Sequence, residues 1–251
     1  MSGTMINETF TNLLSRNRIT ESVQSIMSHR NTMPMAGDDC VACGKCMDNC
    51  PSKAIAIEDG EWSIDLGKCI FCYDCFMICS NHSIEEVVAP DYALCREDLI
   101  VRKATDISAI EKCLDDDKVK MFRKSLAIRE LDTGSCNACE VELNAMSNQF
   151  YDLHRFRIKV VASPRHADAL IVTGPMTNNM HEAALLTYEA VPSPKLIIAS
   201  GTCAISGGMF VKGDVYGEGI GSVLKPDIYI PGCPPTPDRV IRSIVKSVCI
   251  K

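Results

Sequence analysis

Residues 40–51 read Cys-Val-Ala-Cys-Gly-Lys-Cys-Met-Asp-Asn-Cys-Pro, and this stretch decides how the first half of the chain folds. It returns 29 residues later, at residues 69–80, as Cys-Ile-Phe-Cys-Tyr-Asp-Cys-Phe-Met-Ile-Cys-Ser. A short apolar stretch follows each copy, at residues 54–57 and 83–88. A repeat of this length cannot bury a core by itself, so the two copies are predicted to pack on each other.

The cysteine content raises a choice between disulfide bonds and metal ligands. Fifteen cysteines in 251 residues is a high density, typical either of secreted disulfide proteins or of metal-binding proteins in a reducing compartment. The first 30 residues contain neither the apolar core of a signal peptide nor a twin-arginine signal, and the chain has no apolar run long enough to cross a membrane. We therefore expect a cytoplasmic protein whose thiolates bind metals and which reaches a membrane only through partners.

The charge distribution excludes one class of partner and suggests another. A net charge of −6 argues against nucleic-acid binding. Residues 1–120 carry 12 Lys/Arg and 20 Asp/Glu, whereas residues 121–251 carry 14 and 12. The acidic first half suits docking on a basic partner surface, although a solvated surface explains it equally well.

Both cysteine runs have the spacing of two-cluster bacterial ferredoxins, in which the fourth cysteine of one run binds the cluster of the other. This resemblance covers residues 38–90 and predicts two [4Fe–4S] clusters. The predicted ligands are Cys40, Cys43, Cys46 and Cys79 for the first, and Cys69, Cys72, Cys75 and Cys50 for the second. Zinc is the alternative, but zinc ribbons use two Cys-x-x-Cys pairs separated by a longer loop. Ser80 stands where ferredoxins usually have a second proline, which affects local chain shape rather than ligation.

From Ser125 onward, apolar runs alternate with helical patterns, which predicts a parallel α/β sheet. The expected strands are residues 126–131, 158–161, 169–173, 196–199 and 228–230. The expected helices are residues 140–156, 178–190 and 237–248. Functional groups of such sheets gather beyond the carboxyl ends of the strands. Cys136 and Cys139 follow the first expected strand, Cys203 the fourth and Cys233 the fifth, so these four thiols are predicted to converge on one metal site.

The chain therefore divides into four predicted parts. Residues 1–37 are expected to form a helical segment, with one or two short helices in residues 5–30, followed by a linker at residues 31–37. Residues 38–90 form the two-cluster domain, of α+β type. Residues 91–124 form a connector with a helix at residues 106–114, and residues 125–251 form the parallel-sheet domain.

The second half resembles the small subunit of [NiFe]-hydrogenases and the related proximal-cluster subunit of respiratory complex I. The resemblance covers residues 125–240 and rests on four stretches: Cys136-Asn-Ala-Cys-Glu-Val-Glu142, Val161-Ala-Ser-Pro-Arg-His-Ala-Asp168, Gly201-Thr-Cys-Ala-Ile-Ser-Gly-Gly208 and Tyr229-Ile-Pro-Gly-Cys-Pro-Pro235. It implies a flavodoxin-like fold in which Cys136, Cys139, Cys203 and Cys233 hold a third [4Fe–4S] cluster. That cluster would face a separate large subunit containing the active site.

The spacing Cys136-x-x-Cys139 favours the hydrogenase branch, because the complex I subunits have two adjacent cysteines at this point. The chain shows neither the export signal nor the long C-terminal extension of the periplasmic uptake hydrogenases. It is therefore similar to the energy-converting, membrane-associated hydrogenases, including the formate hydrogenlyase type, with a ferredoxin module fused in front. The resemblance implies a nickel–iron large subunit, integral-membrane and further electron-transfer partners, and a peripheral position on the cytoplasmic side of the membrane.

Two other functions stay open at this point. In a complex-I-like assembly without nickel, the same clusters would supply electrons for the reduction of a quinone or a sulfur compound. A free-standing carrier with several ferredoxin clusters would have no enzyme partner and would be a soluble monomer.

The remaining candidates carry less information. Glu140, next to a predicted ligand, is a candidate proton relay, although a surface or interface carboxylate would look the same. Cys95, Cys113 and Cys249 fit no cluster. The glycines at positions 217, 219 and 221 lack the strand–helix context of a nucleotide-binding loop, so no flavin or nucleotide is expected.

Overall fold

The computed structural model describes residues 20–114, 117–210 and 217–250. In these ranges the first half of the chain forms small antiparallel sheets, and the second half forms a five-stranded parallel sheet. The predicted fold class is therefore confirmed. Residues 5–19 of the predicted N-terminal helices lie outside the described residues. In the described part, no helix combines the length and apolar character needed to cross a lipid bilayer.

In the residues that the structure describes, the first half consists of short strands and three short helices. The strands are β1 (Thr32–Ala36), β2 (Ile55–Glu58), β3 (Glu61–Asp65), β4 (Ile84–Val88) and β5 (Ile100–Arg102). β1 pairs with β4, while β2, β3 and β5 form a second sheet. The helices are α1 (Val23–Ser28), α2 (Lys45–Asp48) and α3 (Asp74–Ile78). α2 and α3, one from each cysteine run, pack against each other as the repeat predicts.

The prediction that residues 31–37 form a linker is wrong, because they contain β1. Met33 and Met35 of this strand are buried, and the Gly37 N–H donates to the Ser83 carbonyl at 2.6 Å. Pro34 and Gly37 gave the segment the composition of a linker. A two-stranded sheet has only edge strands, however, and an edge strand tolerates proline.

The second half forms the parallel sheet in the spatial order β7-β6-β8-β9-β10. Its strands are β6 (Leu126–Asp132), β7 (Ile158–Val160), β8 (Ala169–Thr173), β9 (Leu196–Ser200) and β10 (Ile228–Ile230). Counted along the chain, this order is the 2-1-3-4-5 order of flavodoxin-like folds. The helices of this half are α4 (Asp117–Lys120), α5 (Ala138–Ala145), α6 (His181–Ala190), α7 (Thr202–Ser206) and α8 (Pro237–Val248).

The helix predicted at residues 140–156 is shorter in the structure. α5 begins at Ala138 and ends at Ala145, and a separate 3-10 turn covers Leu153–Phe156. The Asn148 side chain accepts the N–H groups of Phe150 and Tyr151 at 2.8 and 3.1 Å, which closes a turn between the two segments. Asparagine side chains compete with helical hydrogen bonding in this way.

The connector helix predicted at residues 106–114 is also wrong. Only a 3-10 turn, Ile107–Ala109, forms there. The residues that follow make tertiary hydrogen bonds. The Glu111 carboxylate accepts a hydrogen bond from the Asp91 N–H at 2.6 Å, and the Leu114 N–H donates to the Ser247 carbonyl at 2.7 Å. These bonds hold the connector along α8 in place of further helical turns.

A buried ionic network joins the two halves. Asp91 follows β4 and is buried against α8, where Arg242 contacts both of its carboxylate oxygens at 2.8 and 3.0 Å and Lys246 contacts one at 2.8 Å. Arg242 also donates to Asp238 at 2.5 Å. Burial alone would raise the pKa of Asp91, but the hydrogen bonds and charges of Arg242 and Lys246 hold it below its usual value. The two halves also meet at β10, where Ala93 and Tyr229 exchange backbone hydrogen bonds at 3.0 and 2.9 Å.

Candidate iron–sulfur cluster sites

The two cysteine runs wrap around the short helices α2 and α3. In each run two cysteines precede the helix, one lies inside it and one follows it. The backbone is left-handed at Ala42 and Gly44 in the first run and at the equivalent Phe71 and Tyr73 in the second. Three of these residues carry a side chain, for which this conformation is uncommon. The two runs therefore share one curled shape, which the cysteine spacing alone did not reveal.

Cys69, Cys72, Cys75 and Cys50 lie together. The pKa of Cys69 is raised to about 12, first by burial and then by the negative charges of Cys50, Cys75 and Cys72. These four cysteines, together with Cys46 of the other set, line one cavity between the two runs. They are the set that spacing assigned to the second site, called site 2 below.

Cys40, Cys43, Cys46 and Cys79 form the set assigned to the first site, called site 1 below. Burial raises the pKa of Cys46, and the charge of Cys40 raises it further. The loop after Cys79 lies beside Cys40, since the Ser83 hydroxyl donates to the Asp39 carbonyl at 3.3 Å. Site 1 and site 2 are neighbours: the pKa of Cys75 is raised to about 11 by burial and next by the charge of Cys46.

N–H hydrogen bonds reach thiols of both sites. Backbone donors are Ala54 to Cys50 and Ser83 to Cys79, both at 3.3 Å, and Phe71 to Cys69 at 3.4 Å. The indole of Trp62 donates to Cys46 at 3.4 Å. Burial would raise the pKa of Cys79, yet backbone N–H groups, led by that of Ser83, lower it. Such donors stabilise thiolates and tune the potential of an iron–sulfur cluster.

The third group of cysteines lies at the carboxyl edge of the parallel sheet, and is called site 3 below. Cys136 and Cys139 follow β6, Cys203 lies in α7 after β9, and Cys233 follows β10. Burial raises the pKa of Cys139, and the charges of Glu140, Cys203, Cys233 and Cys136 add to the effect. The pKa of Cys203 rises to about 12 by burial and then by the charges of Cys233 and Cys136. The fold thus brings together thiols that are up to 97 positions apart in sequence.

Two glycines leave room around the thiols of site 3. A Cβ on Gly201 would lie 2.7 Å from the Cys139 Sγ, and a Cβ on Gly208 would lie 2.7 Å from the Cys203 Sγ. Both glycines have positive φ, at 91° and 62°. Any side chain here would press on a ligand sulfur, so the glycines keep space for a bulky group bound to the thiols.

The residues of all three sites fit [4Fe–4S] clusters. Each site offers four cysteines, sites 1 and 2 offer N–H donors to sulfur, and site 3 offers glycine clearance. Thiolate is the ligand that iron–sulfur clusters take from proteins. In the described ranges, no three His, Cys, Asp or Glu side chains are grouped to hold a single metal ion.

Glu140 is buried beside Cys139, at the first turn of α5. It is 7% exposed, and neither of its carboxylate oxygens has a hydrogen-bond partner among the described residues. Its charge reaches Glu130, whose pKa is raised by burial first and by Glu140 second. The structure therefore places Glu140 in the wall of site 3, not on the open surface.

The remaining three cysteines belong to none of the three sites. Cys95 is exposed, whereas Cys113 and Cys249 lie next to each other, with a Cα–Cα separation of 5.9 Å. The pair lies where the connector meets the residue that follows α8. Cys113 and Cys249 are 136 positions apart, so the sequence held no signal for their proximity.

Thr202 connects site 2 to site 3. Its buried hydroxyl lies 2.9 Å from the Cys69 carbonyl oxygen and 3.1 Å from that of Gly232, which precedes Cys233. The Ser206 hydroxyl adds a second link, donating to the Gly67 carbonyl at 2.7 Å. Both hydroxyls belong to α7, the helix that contains Cys203. The two sites are thus held against each other through the backbone of their own ligand loops.

Replacing Thr202 with valine is expected to lower the free energy of unfolding by about 1–3 kcal/mol, because the buried Cys69 carbonyl loses its donor. Urea denaturation followed by far-UV circular dichroism measures the change. Thr187→Val is the matched control: its hydroxyl bonds within α6, to the Ala183 carbonyl at 2.7 Å, and its loss should have a smaller effect. An equal loss in both variants would contradict the role given to Thr202.

Two protein families match the chain. The 20 kDa subunit family of NADH ubiquinone oxidoreductase matches residues 136–247, and the 4Fe-4S dicluster domain family matches residues 34–80. The two matches contain all the cysteines of the three sites.

Three relatives illustrate the range of similar proteins. The chain is 39% identical over 126 residues to the probable membrane-bound hydrogenase subunit mbhJ of Pyrococcus furiosus, covering 50% of this chain and 75% of that one. It is 43% identical over 119 residues to formate hydrogenlyase subunit 7 of Escherichia coli, covering 47% of each chain. It is also 43% identical over 110 residues to a subunit of the NADH-quinone oxidoreductase of Geotalea daltonii, covering 43% of this chain and 63% of that one.

Proposed function

This chain belongs to the 20 kDa subunit family of NADH ubiquinone oxidoreductase, and we propose that it transfers electrons within a [NiFe]-hydrogenase through three [4Fe–4S] clusters. At the level of the family, it is an electron-transfer subunit of a membrane-bound hydrogenase or of a complex-I-like oxidoreductase. The nickel–iron partner and the number of three clusters go beyond this family-level function and are our proposal. The observation that supports them best is the contiguity of the three cysteine groups.

The three sites form one path through the chain. When bound, the clusters supply one-electron transfer. Cys46 of site 1 is close enough to Cys75 of site 2 to raise the pKa of that thiol. Thr202 then joins the Cys69 loop of site 2 to the Cys233 loop of site 3. The proposed order is therefore site 1, site 2, site 3, with the two-cluster domain at residues 38–90 and the site 3 domain at residues 125–251.

Site 3 is the end of the path that we assign to the partner. Cys136 and Cys233 are exposed, and Val141, two residues after Cys139 in α5, is 57% exposed although it is apolar. A surface of this kind suits burial against another subunit, here the nickel–iron large subunit. Glu140 is buried, acts on the Cys139 thiol through its charge and precedes the exposed Val141, so we assign it the transfer of protons toward the partner. Integral-membrane partners would hold the assembly on the cytoplasmic side of the membrane.

A nickel-free assembly is the second candidate function. The relative from the NADH-quinone oxidoreductase of Geotalea daltonii is as similar in sequence as the hydrogenase relatives are, so the same chain design also serves that reaction class. The sequence of the large partner separates the two candidates: two Cys-x-x-Cys pairs support a nickel–iron site, and their absence sinks the hydrogenase proposal. Recovery of the chain as a monomer from native membranes and cytosol would instead favour a free carrier.

Iron analysis tests the three-cluster proposal directly. The intact chain, purified without oxygen, is expected to contain about 12 iron and about 12 acid-labile sulfide per chain, because each of three cubes contributes four of each. Colorimetric iron and sulfide assays measure both contents. Electron paramagnetic resonance of the reduced protein should show three interacting spin systems.

A stable value near eight iron atoms would remove one site from the proposal. Zinc in place of iron at sites 1 and 2, by elemental analysis, would overturn the ferredoxin assignment. Copurification of nickel with the native complex, but not with the isolated chain, would support the partner that we propose.

A further inference from the structure

A buried arginine lies between the ligand loops of site 2 and site 3. Arg239 is in the first turn of α8 and is 3% exposed. Its guanidinium donates to the carbonyl oxygens of Pro90 and Asp91, at 2.6 and 3.3 Å. Burial lowers the pKa of Arg239 to about 10, so the group keeps its charge at neutral pH.

The charge faces the cysteine loops of both sites. The guanidinium carbon lies 5.3 Å from the centre of the Phe71 ring. Phe71 stands between Cys69 and Cys72, and its N–H donates to the Cys69 Sγ. Arg239 also lines a cavity that is lined by Phe71 and by the loop of Gly232, Cys233 and Pro234 as well. One cation therefore borders a ligand loop of each site.

The surrounding carboxylates are already paired with other bases. Asp91 binds Arg242 and Lys246, Asp238 binds Arg242 and contacts His29, and Glu111 binds Lys246. Among the described bases of this network, Arg239 is the one whose hydrogen bonds go only to neutral carbonyl oxygens. Its positive charge therefore has no direct ion pair among the described residues, although the carboxylates of Asp91, Glu111 and Asp238 are near it, and it borders the loops of the two sites.

We propose that Arg239 raises the reduction potentials of sites 2 and 3 relative to that of site 1. Reduction adds one negative charge to a cluster, and a buried cation next to the ligand loops stabilises the more negative state. Arg239 would thus draw electrons from site 1 toward the partner. The inference rests on the proposed function, because it requires clusters at these sites.

Potentiometric titration of the intact chain, monitored by electron paramagnetic resonance, tests the proposal. In Arg239→Gln we expect the reduced-to-oxidised ratio of sites 2 and 3 at a fixed potential to fall about tenfold, a shift of about 59 mV for a one-electron couple. Site 1 should keep its wild-type potential. Arg239→Lys, which retains the charge, should stay closer to wild type than to Arg239→Gln. Arg239→Met provides a second neutral variant in case the glutamine variant does not fold.

Arg30→Gln is the matched control. Arg30 lines the same cavity but is exposed, so solvent and salt screen its charge, and its removal should leave all three potentials unchanged. Unchanged potentials in a neutral Arg239 variant would overturn the proposal. An equal shift of all three sites, or equal shifts in the lysine and glutamine variants, would also overturn it, since either would indicate altered packing. A wild-type chain without three clusters would instead contradict the proposed function.

Discussion

Replacing Cys203 with serine is expected to remove one cluster of three and to lower the iron content from about 12 to about 8 atoms per chain. Cys203 holds its place in site 3 through α7, and the serine oxygen is a harder, weaker ligand for the iron of a cluster than thiolate is. Sites 1 and 2 use eight other cysteines and should keep their resonance signals. Electron delivery from this chain to its partner should be lost, because site 3 is the proposed end of the path.

Cys95→Ser is the control for this experiment. Cys95 is exposed and lies outside the three groups, so its replacement should change neither the iron content nor the spectrum. Simultaneous loss of all three signals in Cys203→Ser would show that the sites do not assemble independently. That outcome would contradict the division of the chain at residues 91–124.

Replacing Arg242 with methionine should produce the largest loss of stability, about 3–5 kcal/mol, because it leaves buried carboxylates without their main partner. The Arg242 side chain is fully buried and pairs with both Asp91 and Asp238. These contacts fix the end of the two-cluster domain to α8, the helix that begins just after the Cys233 loop. A lower urea midpoint by circular dichroism is the measured result, and the resonance signals of sites 2 and 3 should broaden as their packing loosens.

Two further variants separate the ionic network from a general effect of substitution. Lys103→Met removes a partner of Asp38 on the exposed surface, where an ion pair is solvated, and should leave the midpoint unchanged. Asp91→Asn combined with Arg242→Met should cost less than the sum of the two single changes, because each single change strands the other group. Strict additivity of the two changes would show that the pair does not act as a unit.

The sequence predicted the parallel sheet closely, because buried strands there are continuous apolar runs. The expected strand at residues 169–173 is β8 (Ala169–Thr173), and the expected helix at residues 237–248 is α8 (Pro237–Val248). The sequence-based prediction was wrong where tertiary contacts overrode the local preference of the chain. β1 forms because Met33 and Met35 are buried when the strand pairs with β4. The predicted connector helix does not form because Glu111 and Leu114 hydrogen-bond to Asp91 and Ser247.

The candidate sites divide in a similar way. For sites 1 and 2, spacing was sufficient to propose the eight thiols, because ferredoxin-type runs assign to each cluster three cysteines of one run and the last cysteine of the other. For site 3, spacing was not sufficient, and the assignment needed the resemblance and the strand order. The proximity of Cys113 and Cys249 had no sequence signal at all, since the two residues are 136 positions apart.

The fold class and the two cysteine runs followed from the sequence alone, because they depend on residue type and short spacing, which are local properties of the chain. The four thiols of site 3 needed the resemblance and the strand order as well. Only the tertiary structure decided that site 2, not site 1, lies against site 3, and that Thr202 and Arg239 stand between them. Those contacts join residues more than 100 positions apart, and their energies depend on burial, which removes the solvent that would otherwise screen a charge or satisfy a carbonyl oxygen.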